Sequence, residues 1–209
     1  MELPEWWPTK SPYIIGDSLE GMKHIPDKAV DLVLTDPPYA VDYAAWDKAI
    51  PKGWLEEARR IARTVAFTPG RKNEREYPQP DAIVAWARPG SIQRQPKGGG
   101  FSHWEPVFVY GEHLPNTDLL IIPAQTDAPD CGHPCAKPIK LFSWLVKKLS
   151  DAGELILDPF LGSGTTLLAC RMNGRLGIGF EIEPKYEPII RKRAMENIPM
   201  IENYLEAEP

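Results

Sequence analysis

The stretch that most constrains the fold of this chain is residues 155–175, LILDPFLGSGTTLLACRMNGR. Its apolar start predicts a short buried strand, and its second half predicts a helix that ends at Asn173 and Gly174. Between them, Gly162 and Gly164 allow a tight backbone turn that comes close to a ligand, beside the first N–H groups of the helix. A strand, a turn and a helix in this order form the repeating unit of α/β sheets.

Further short apolar runs and amphipathic stretches alternate along the chain. We predict strands at 13–16, 30–35, 64–68, 81–87, 106–111, 119–122, 154–157 and 176–181. We predict helices at 18–25, 53–62, 137–150, 165–173 and 185–195. This alternation predicts an α/β fold with helices on both faces of one sheet, and 209 residues suit a single domain spanning 1–209. Ligands of such sheets bind at the carboxyl ends of the strands.

Composition excludes several classes of protein. No apolar stretch approaches the roughly 20 residues that span a bilayer, and the amino-terminal residues lack the pattern of a signal peptide. Three cysteines, an odd number, give no disulfide framework. We therefore expect a cytoplasmic protein without a membrane partner.

Charge is unevenly distributed along the chain. The net charge of the chain is −5, yet residues 51–100 carry ten Lys or Arg against five acids. The net charge of this window is therefore +5, and that of the remaining residues is −10. A basic middle on an acidic chain is typical of a surface that contacts a polyanion, and equally of a solvated face.

A second predicted strand end carries chemistry. The run VDLVLTDPPYA, residues 30–40, ends in Asp36, Pro37, Pro38 and Tyr39. Neither proline has an N–H, so the strand cannot continue, and the turn holds a carboxylate and an aromatic ring on a stiff backbone. This pattern predicts a binding or catalytic site.

The glycine turn matches neither of two common phosphate-binding motifs. It lacks the lysine of a P-loop, and only Gly162 and Gly164 fit a dinucleotide GxGxxG. The next predicted strand, however, ends at Glu181, about 20 residues after the glycines. An acid at this position can bond two ribose hydroxyls, which predicts a cofactor containing a nucleoside.

These motifs together resemble the S-adenosylmethionine-dependent amino-methyltransferases of DNA. TDPPY resembles their catalytic motif IV, DPFLGSGTT followed by GFEIEPKY their cofactor motif I, HPCAKPIKLFSWLV (133–146) motif X, and YIIGDSLEGMKHIP motif III. The catalytic motif precedes the glycine motif, which is the permuted order of the β group. The resemblance covers about 13–195 and implies a Rossmann-like fold, with a mostly parallel sheet and an antiparallel strand. It places the catalytic half at about 13–111, a connector at 112–132 and the cofactor-binding half at about 133–195.

The resemblance implies S-adenosyl-L-methionine as cofactor and assigns the site residues. The catalytic residues would be Asp36, Pro37, Pro38 and Tyr39. Asp36 and the Pro37 carbonyl would each accept an N–H of the target amine, and Tyr39 would stack on the flipped base. Asp17 would meet the adenine of the cofactor, and Lys137 its carboxylate. The expected cofactor-binding residues are Asp17, Asp36, His133, Lys137, Asp158, Phe160, Gly162, Ser163, Gly164, Thr165 and Glu181.

The expected partner is double-stranded DNA with the target base flipped out. Family members usually carry a sizeable target-recognition insert, and here only residues 112–132 separate the last strand from His133. Selectivity is then weak, or is carried by loops 69–80 and 88–105, or by a second subunit, which leaves a homodimer open. The expected contacts to nucleic acid are Arg71, Lys72, Arg94, Lys97 and Trp104, although Trp104 also suits a packing role.

Several alternatives stay open at this point. Asp36, in place of the serine often found in cytosine-N4 enzymes, favours adenine N6. Cytosine N4 of DNA, an RNA base, and an inactive protein that only binds cofactor or DNA are the alternatives. Protein-glutamine methyltransferases carry Asn in place of Asp36. Cys131, His133 and Cys135 lack a second ligand pair, so we expect no metal. The resemblance to a small form of this family without a large target-recognition domain implies a bacterial protein, or a phage-encoded one in a host cytoplasm, and a restriction partner is an open question.

Overall fold

The computed structural model describes residues 2–40, 42, 47–91, 100–123 and 136–195. Its strands are β1 (Tyr13–Ile15), β2 (Val30–Thr35), β3 (Ala62–Phe67), β4 (Ala82–Ala87), β5 (Trp104–Gly111), β6 (Leu119–Ile121), β7 (Leu155–Asp158) and β8 (Leu176–Glu181). Its helices are α1 (Ser18–Met22), α2 (Trp54–Ile61), α3 (Ile139–Leu149), α4 (Thr165–Met172) and α5 (Glu187–Met195), with a 3-10 turn at Pro184–Tyr186. None of the helices within these ranges is long and apolar enough to cross a membrane.

The strands form one sheet in the order β1-β8-β7-β2-β3-β5-β4-β6. β5 runs antiparallel to both of its neighbours, and every other neighbouring pair is parallel. The prediction of a mostly parallel sheet with an antiparallel strand is therefore confirmed. The carboxyl ends of the parallel strands and the amino end of β5 meet at one edge of the sheet.

Both faces of the sheet are buried, which explains why the central strands are apolar throughout. On β2, Val33 packs with the residues of α1 and α2, whereas Leu32 and Leu34 pack on the other face with α3 and α4. All three side chains are inaccessible to solvent. A strand covered on both faces needs apolar residues at successive positions rather than alternate ones. The prediction of helices on both faces is confirmed.

Some element boundaries differ from the prediction. The predicted helix 53–62 ends at Ile61, because Ala62 is already extended, with φ −114° and ψ 153°, and begins β3 directly. β5 begins at Trp104 rather than at 106, because its pairing with β4 continues through Trp86↔Glu105 and Ala87↔Trp104. Glu105, expected in a loop, is therefore held in the sheet.

Candidate active site

A cavity of about 690 Å³ lies at the edge where the parallel strands end. The two unusual strand ends, at Asp36 and at the glycine turn after β7, both line this cavity. The predicted site residues that line the cavity are Asp17, Asp36, Pro37, Pro38, Tyr39, Lys137, Asp158, Phe160, Gly162, Ser163, Thr165 and Glu181. His133, Arg94 and Lys97 lie outside the residues that the structure describes.

The glycine turn between β7 and α4 is shaped by positive backbone angles. Gly162 has φ 53° and Gly164 has φ 76°, a region that side chains with a Cβ rarely adopt. Gly164 was expected to contact the cofactor, but it is absent from the cavity wall. It packs against α5 instead, where a Cβ would lie 3.4 Å from the Cα of Ile190. Arg193 of α5 donates to the Oγ of Ser163 at 2.5 Å and fixes the turn from the same side.

Glu181, at the end of β8, is bonded to this turn. Its Oε2 accepts from the Gly162 N–H at 2.7 Å, and its Oε1 accepts from the Glu183 N–H at 2.8 Å. Burial raises the pKa of Glu181 to about 7, although these two backbone N–H groups act in the opposite direction. Each carboxylate oxygen retains a lone pair, so Glu181 can still accept a hydroxyl at the cavity wall.

Asp17 lies beside Glu181 because their strands are neighbours. Ile15 pairs with Glu181 across β1 and β8, and Asp17 follows two residues later. Its Oδ1 accepts from the Leu19 N–H at 2.8 Å and caps α1. The side chain remains exposed at the cavity. Two acids from adjacent strand ends therefore stand at the same end of the cavity.

Asp158 has an internal role that the sequence did not indicate. Its side chain accepts from the Oγ1 of Thr35 at 2.6 Å, from the hydroxyl of Thr166, and from the Phe160 N–H at 2.9 Å. Burial raises the pKa of Asp158 to about 6, and these three hydrogen bonds oppose that rise. Asp158 thus joins β2, the glycine turn and α4.

Asp36 is the centre of a hydrogen-bonded cluster at the end of β2. Its Oδ1 accepts from the hydroxyls of Tyr39 and Thr68, and its Oδ2 accepts from the Lys137 Nζ at 2.6 Å. Lys137 also lies 3.0 Å from the Tyr39 hydroxyl. Burial would lower the pKa of Lys137, but the neighbouring charges, chiefly that of Asp36, and the hydrogen bond to Asp36 together outweigh burial and raise the pKa above its ordinary value. Burial, followed by the charge of Asp36, raises the pKa of Tyr39.

Two side chains that sequence reasoning missed fix the turn after Asp36. The Oδ1 of Asp47 accepts from the backbone N–H groups of Tyr39 and Ala40, at 2.7 and 2.8 Å. Asn73 donates to the Tyr39 carbonyl at 2.9 Å. Both residues come from loops, where no periodic pattern marks them. The backbone of the turn is therefore fixed independently of the Asp36 cluster.

The far wall of the cavity holds three further residues that the sequence did not single out, Trp86, Arg88 and Glu105. The Arg88 Nη1 lies 2.8 Å from the Glu105 Oε1, and both side chains are largely buried. The Arg88 guanidinium also lies 5.1 Å from the centre of the Trp86 ring. This wall is built by β4 and β5, on the opposite side of Asp36 from Glu181.

Of the residues expected to contact nucleic acid, the structure describes Arg71, Lys72 and Trp104, and these three do not line the cavity. Arg71 places its guanidinium 4.3 Å from the centre of the Trp104 ring and pairs with Glu74 at 2.8 Å. Trp104 is 36% exposed, so the residue remains accessible to solvent although a guanidinium lies over its ring. Lys72 is exposed. The preceding Gly70 packs against the Tyr39 ring, where a Cβ would lie 3.2 Å from ring atoms. The chain that leads into Arg71 and Lys72 therefore starts next to the turn that carries Tyr39.

Comparisons with known proteins agree with this geometry. The sequence model of the N6/N4 family, described as DNA methylase, matches residues 82–192, more than half of the chain. The match includes the glycine turn and Glu181, whereas Asp36 lies before it.

The chain also resembles individual proteins across most of its length. It is 25% identical to the DNA adenine methyltransferase YhdJ of Escherichia coli (strain K12), over 83% of this chain and 79% of YhdJ. The PvuII DNA methyltransferase, described as cytosine-N4-specific, has the same fold, with a TM-score of 0.66, 19% identity, and coverage of 88% of this chain and 86% of that one. The complex of M1.HpyAVI with SAM superposes with a TM-score of 0.67 and 19% identity, covering 88% and 98% of the two chains.

The glycine turn and Glu181 lie at strand ends suited to a nucleoside cofactor, and Asp36 lies at the end of β2. Together with the match over residues 82–192, these features assign this chain to the N6/N4 family of DNA methylases.

Proposed function

We propose that the protein transfers a methyl group from S-adenosyl-L-methionine to an exocyclic amine of DNA, and that the amine is N6 of adenine. The observation that carries this proposal is the single cavity shared by Glu181, the glycine turn and Asp36. A cofactor bound at one end and an amine bound at the other then meet within one cavity. A volume of about 690 Å³ is ample for a nucleoside cofactor, within the range of about 300–1,000 Å³ typical of ligand sites.

The described residues suit the cofactor at each of its parts. Glu181 presents carboxylate oxygens to ribose hydroxyls, and the exposed Asp17 beside it suits an adenine amine. Lys137 has three N–H groups, of which Asp36 and Tyr39 take two, so one is left for a carboxylate. When bound, the cofactor supplies an electrophilic methyl group on a sulfonium sulfur.

Asp36 positions the amine and stabilises its charge. An exocyclic amine is a weak nucleophile, and positive charge develops on its nitrogen as the N–C bond forms. Asp36 accepts an N–H, which holds the lone pair in line with the methyl group and places a negative charge beside the nitrogen. The methylated nitrogen is strongly acidic, so its extra proton is lost readily after transfer.

Support for adenine comes from Asp36 and from the similarity to YhdJ, a DNA adenine methyltransferase. The similarity in fold to a cytosine-N4-specific enzyme keeps cytosine N4 as the second candidate. The exocyclic amines of RNA bases have the same chemistry, so an RNA base is a further candidate.

Mass spectrometry of nucleosides tests the reaction and the base together. Unmethylated DNA and RNA are each incubated with the protein and S-adenosylmethionine, then digested. The proposal predicts N6-methyladenine in DNA. N4-methylcytosine would reassign the base, and methylation of RNA alone would reassign the polymer. An absence of methyl transfer to either polymer would contradict the proposal.

A further inference from the structure

Thr68 is a buried residue whose hydroxyl donates to the carboxylate of Asp36. It directly follows β3 and is 1% exposed, and its hydroxyl donates to the Asp36 Oδ1. Its backbone N–H donates to the Thr35 carbonyl at 3.4 Å, which continues the pairing of β2 and β3 past Thr35↔Phe67. The backbones of two central strands therefore bring the hydroxyl and the carboxylate together.

Thr68 differs in position from the other two donors to Asp36. Tyr39 and Lys137 both line the cavity, whereas Thr68 does not. Under the proposed function, Tyr39 also stacks on the target base and Lys137 also binds the carboxylate of the cofactor. Because Thr68 is not at the cavity wall, its hydroxyl can act on the reaction only through Asp36.

The hydroxyl of Thr68 limits how the Asp36 carboxylate can turn. The terminal torsion of an aspartate side chain is broad, so a carboxylate without fixed partners samples many orientations. A threonine is branched at Cβ and is stiff about its first side-chain torsion. Burial at the end of β3 restricts Thr68 further. A stiff, buried donor therefore holds the carboxylate plane of Asp36 in one orientation.

The distribution of donors indicates which oxygen of Asp36 remains for the amine. Each oxygen of an ionised carboxylate has about two lone pairs. The Oδ1 accepts from the hydroxyls of Tyr39 and Thr68, whereas the Oδ2 accepts from Lys137 and retains one lone pair. Methyl transfer requires the amine, the methyl group and the sulfur to be in line. The direction of that lone pair therefore affects the rate of transfer more than the affinity for either ligand.

We propose that Thr68 is a positioning residue for methyl transfer: its hydroxyl holds the Asp36 carboxylate in the orientation that accepts an N–H of the target amine. This inference rests on the proposed function. Thr68 acts from behind the cavity wall and contacts neither the cofactor nor the base.

Thr68→Val tests the proposal, because it removes the hydroxyl and keeps the shape of the side chain. We expect the single-turnover rate of methyl transfer to fall by about 10- to 100-fold, the range for a lost hydrogen bond to a charged group. The Kd values for S-adenosylmethionine and for DNA should stay within about twofold of the wild type, which also shows that the variant is folded. Thr68→Ser keeps the hydroxyl and should retain a rate within about threefold of the wild type.

Thr64→Val is the matched control on the same strand. Thr64 is also buried, and its Oγ1 accepts from the His113 N–H at 3.0 Å rather than contacting Asp36. Both variants lose a buried hydroxyl, so both should lose some stability in urea denaturation. Only Thr68→Val should lower the rate of transfer in the complex saturated with cofactor and DNA.

A double-mutant cycle provides a readout that a merely structural role would not give. In the Asp36→Ala background there is no carboxylate to orient, so adding Thr68→Val should change the residual rate of transfer by less than about twofold. A structural defect would lower the rate by the same factor in both backgrounds.

Four outcomes would overturn the inference while the wild type still transfers methyl groups, so the proposed function would stand. These are a wild-type rate in Thr68→Val, an equal loss of rate in Thr64→Val, a loss in Thr68→Ser as large as that in Thr68→Val, and an equal further loss in the Asp36→Ala background. A wild-type protein that transfers no methyl group would instead remove the proposed function, and this inference with it.

Discussion

Lys137 and Asp36 are 101 residues apart in the chain, and their side chains form an ion pair of 2.6 Å at the cavity wall. Lys137 immediately precedes Pro138, the N-cap of α3, whereas Asp36 follows β2. The two side chains are only 14% and 20% exposed, so solvent screens their interaction weakly. This pair connects the part of the chain that resembles a cofactor motif to the part that resembles a catalytic motif.

We expect Lys137→Met to destabilise the fold, because it leaves the Asp36 carboxylate partly buried without its cation. The free energy of unfolding should fall by roughly 3 kcal/mol. Adding Asp36→Asn should recover much of that loss, since it removes the uncompensated charge. Lys148→Met, at the exposed far end of α3, is the matched control and should have little effect. Urea denaturation of the wild type, Lys137→Met, Asp36→Asn, the double variant and Lys148→Met measures this, and a loss in the double variant equal to the sum of the two single losses would contradict the pairing.

We expect cofactor affinity to depend on pH through Glu181. Burial raises its pKa to about 7, so the group is mainly protonated below pH 7 and ionised above it. The ionised form is the stronger acceptor of ribose hydroxyls, so the Kd for S-adenosylmethionine should fall as pH rises from 6 to 8. Calorimetry across this range measures the trend. Glu181→Gln should bind weakly at every pH, and an equally steep dependence in that variant would assign the effect to another group.

The fold and many of the site residues were predictable because strand ends carry local signals. Asp17, Asp36, Asp158 and Glu181 each follow or end an apolar run, and parallel strands bring such ends to one edge. The remaining contacts depend on tertiary structure. Glu105 reaches the same edge only because β5 is antiparallel. Its side chain is polar, so the apolar run that predicts this strand starts only at residue 106.

Other site features had no signal in the sequence for a related reason. Asp47 and Asn73 fix the Asp36 turn from irregular loops, so neither periodicity nor a motif marks them. Gly164 belongs to the glycine motif, yet its contact is with Ile190 of α5, which only the packed structure reveals.

We expect Gly179→Ala to destabilise the protein strongly. Gly179 pairs with Asp158 across β7 and β8, and a Cβ there would lie 2.4 Å from the Asp158 carbonyl oxygen and 2.7 Å from Leu161. Backbone cannot move aside cheaply, so the free energy of unfolding should fall by about 2–3 kcal/mol. A Cβ at Gly16 would contact only Ile14, at 3.8 Å. Gly16→Ala should therefore change the free energy of unfolding by less than about 0.5 kcal/mol. Thermal and urea melts compare the two variants, and equal losses would contradict the steric argument.

We expect Lys72 to contribute to DNA binding through charge alone. It is exposed and follows Arg71, which stacks on Trp104 beside the turn that carries Tyr39. Lys72→Ala should weaken DNA binding and reduce the slope of log K against log salt by about 1. Lys148→Ala removes an equal charge at the end of α3 away from the cavity and should leave the slope unchanged. Equal effects of the two substitutions would indicate a response to net charge rather than a contact.

The most direct test of the central claim compares methyl transfer and cofactor binding in Asp36→Ala. The account predicts that this variant keeps the Kd for S-adenosylmethionine within about threefold, because most cofactor contacts come from other strand ends. Methyl transfer in a single turnover should fall by about 100-fold or more, because the Asp36 carboxylate no longer stabilises the positive charge that develops on the amine nitrogen. A variant that binds the cofactor and transfers methyl groups at the wild-type rate would contradict the assignment of Asp36 to the reaction.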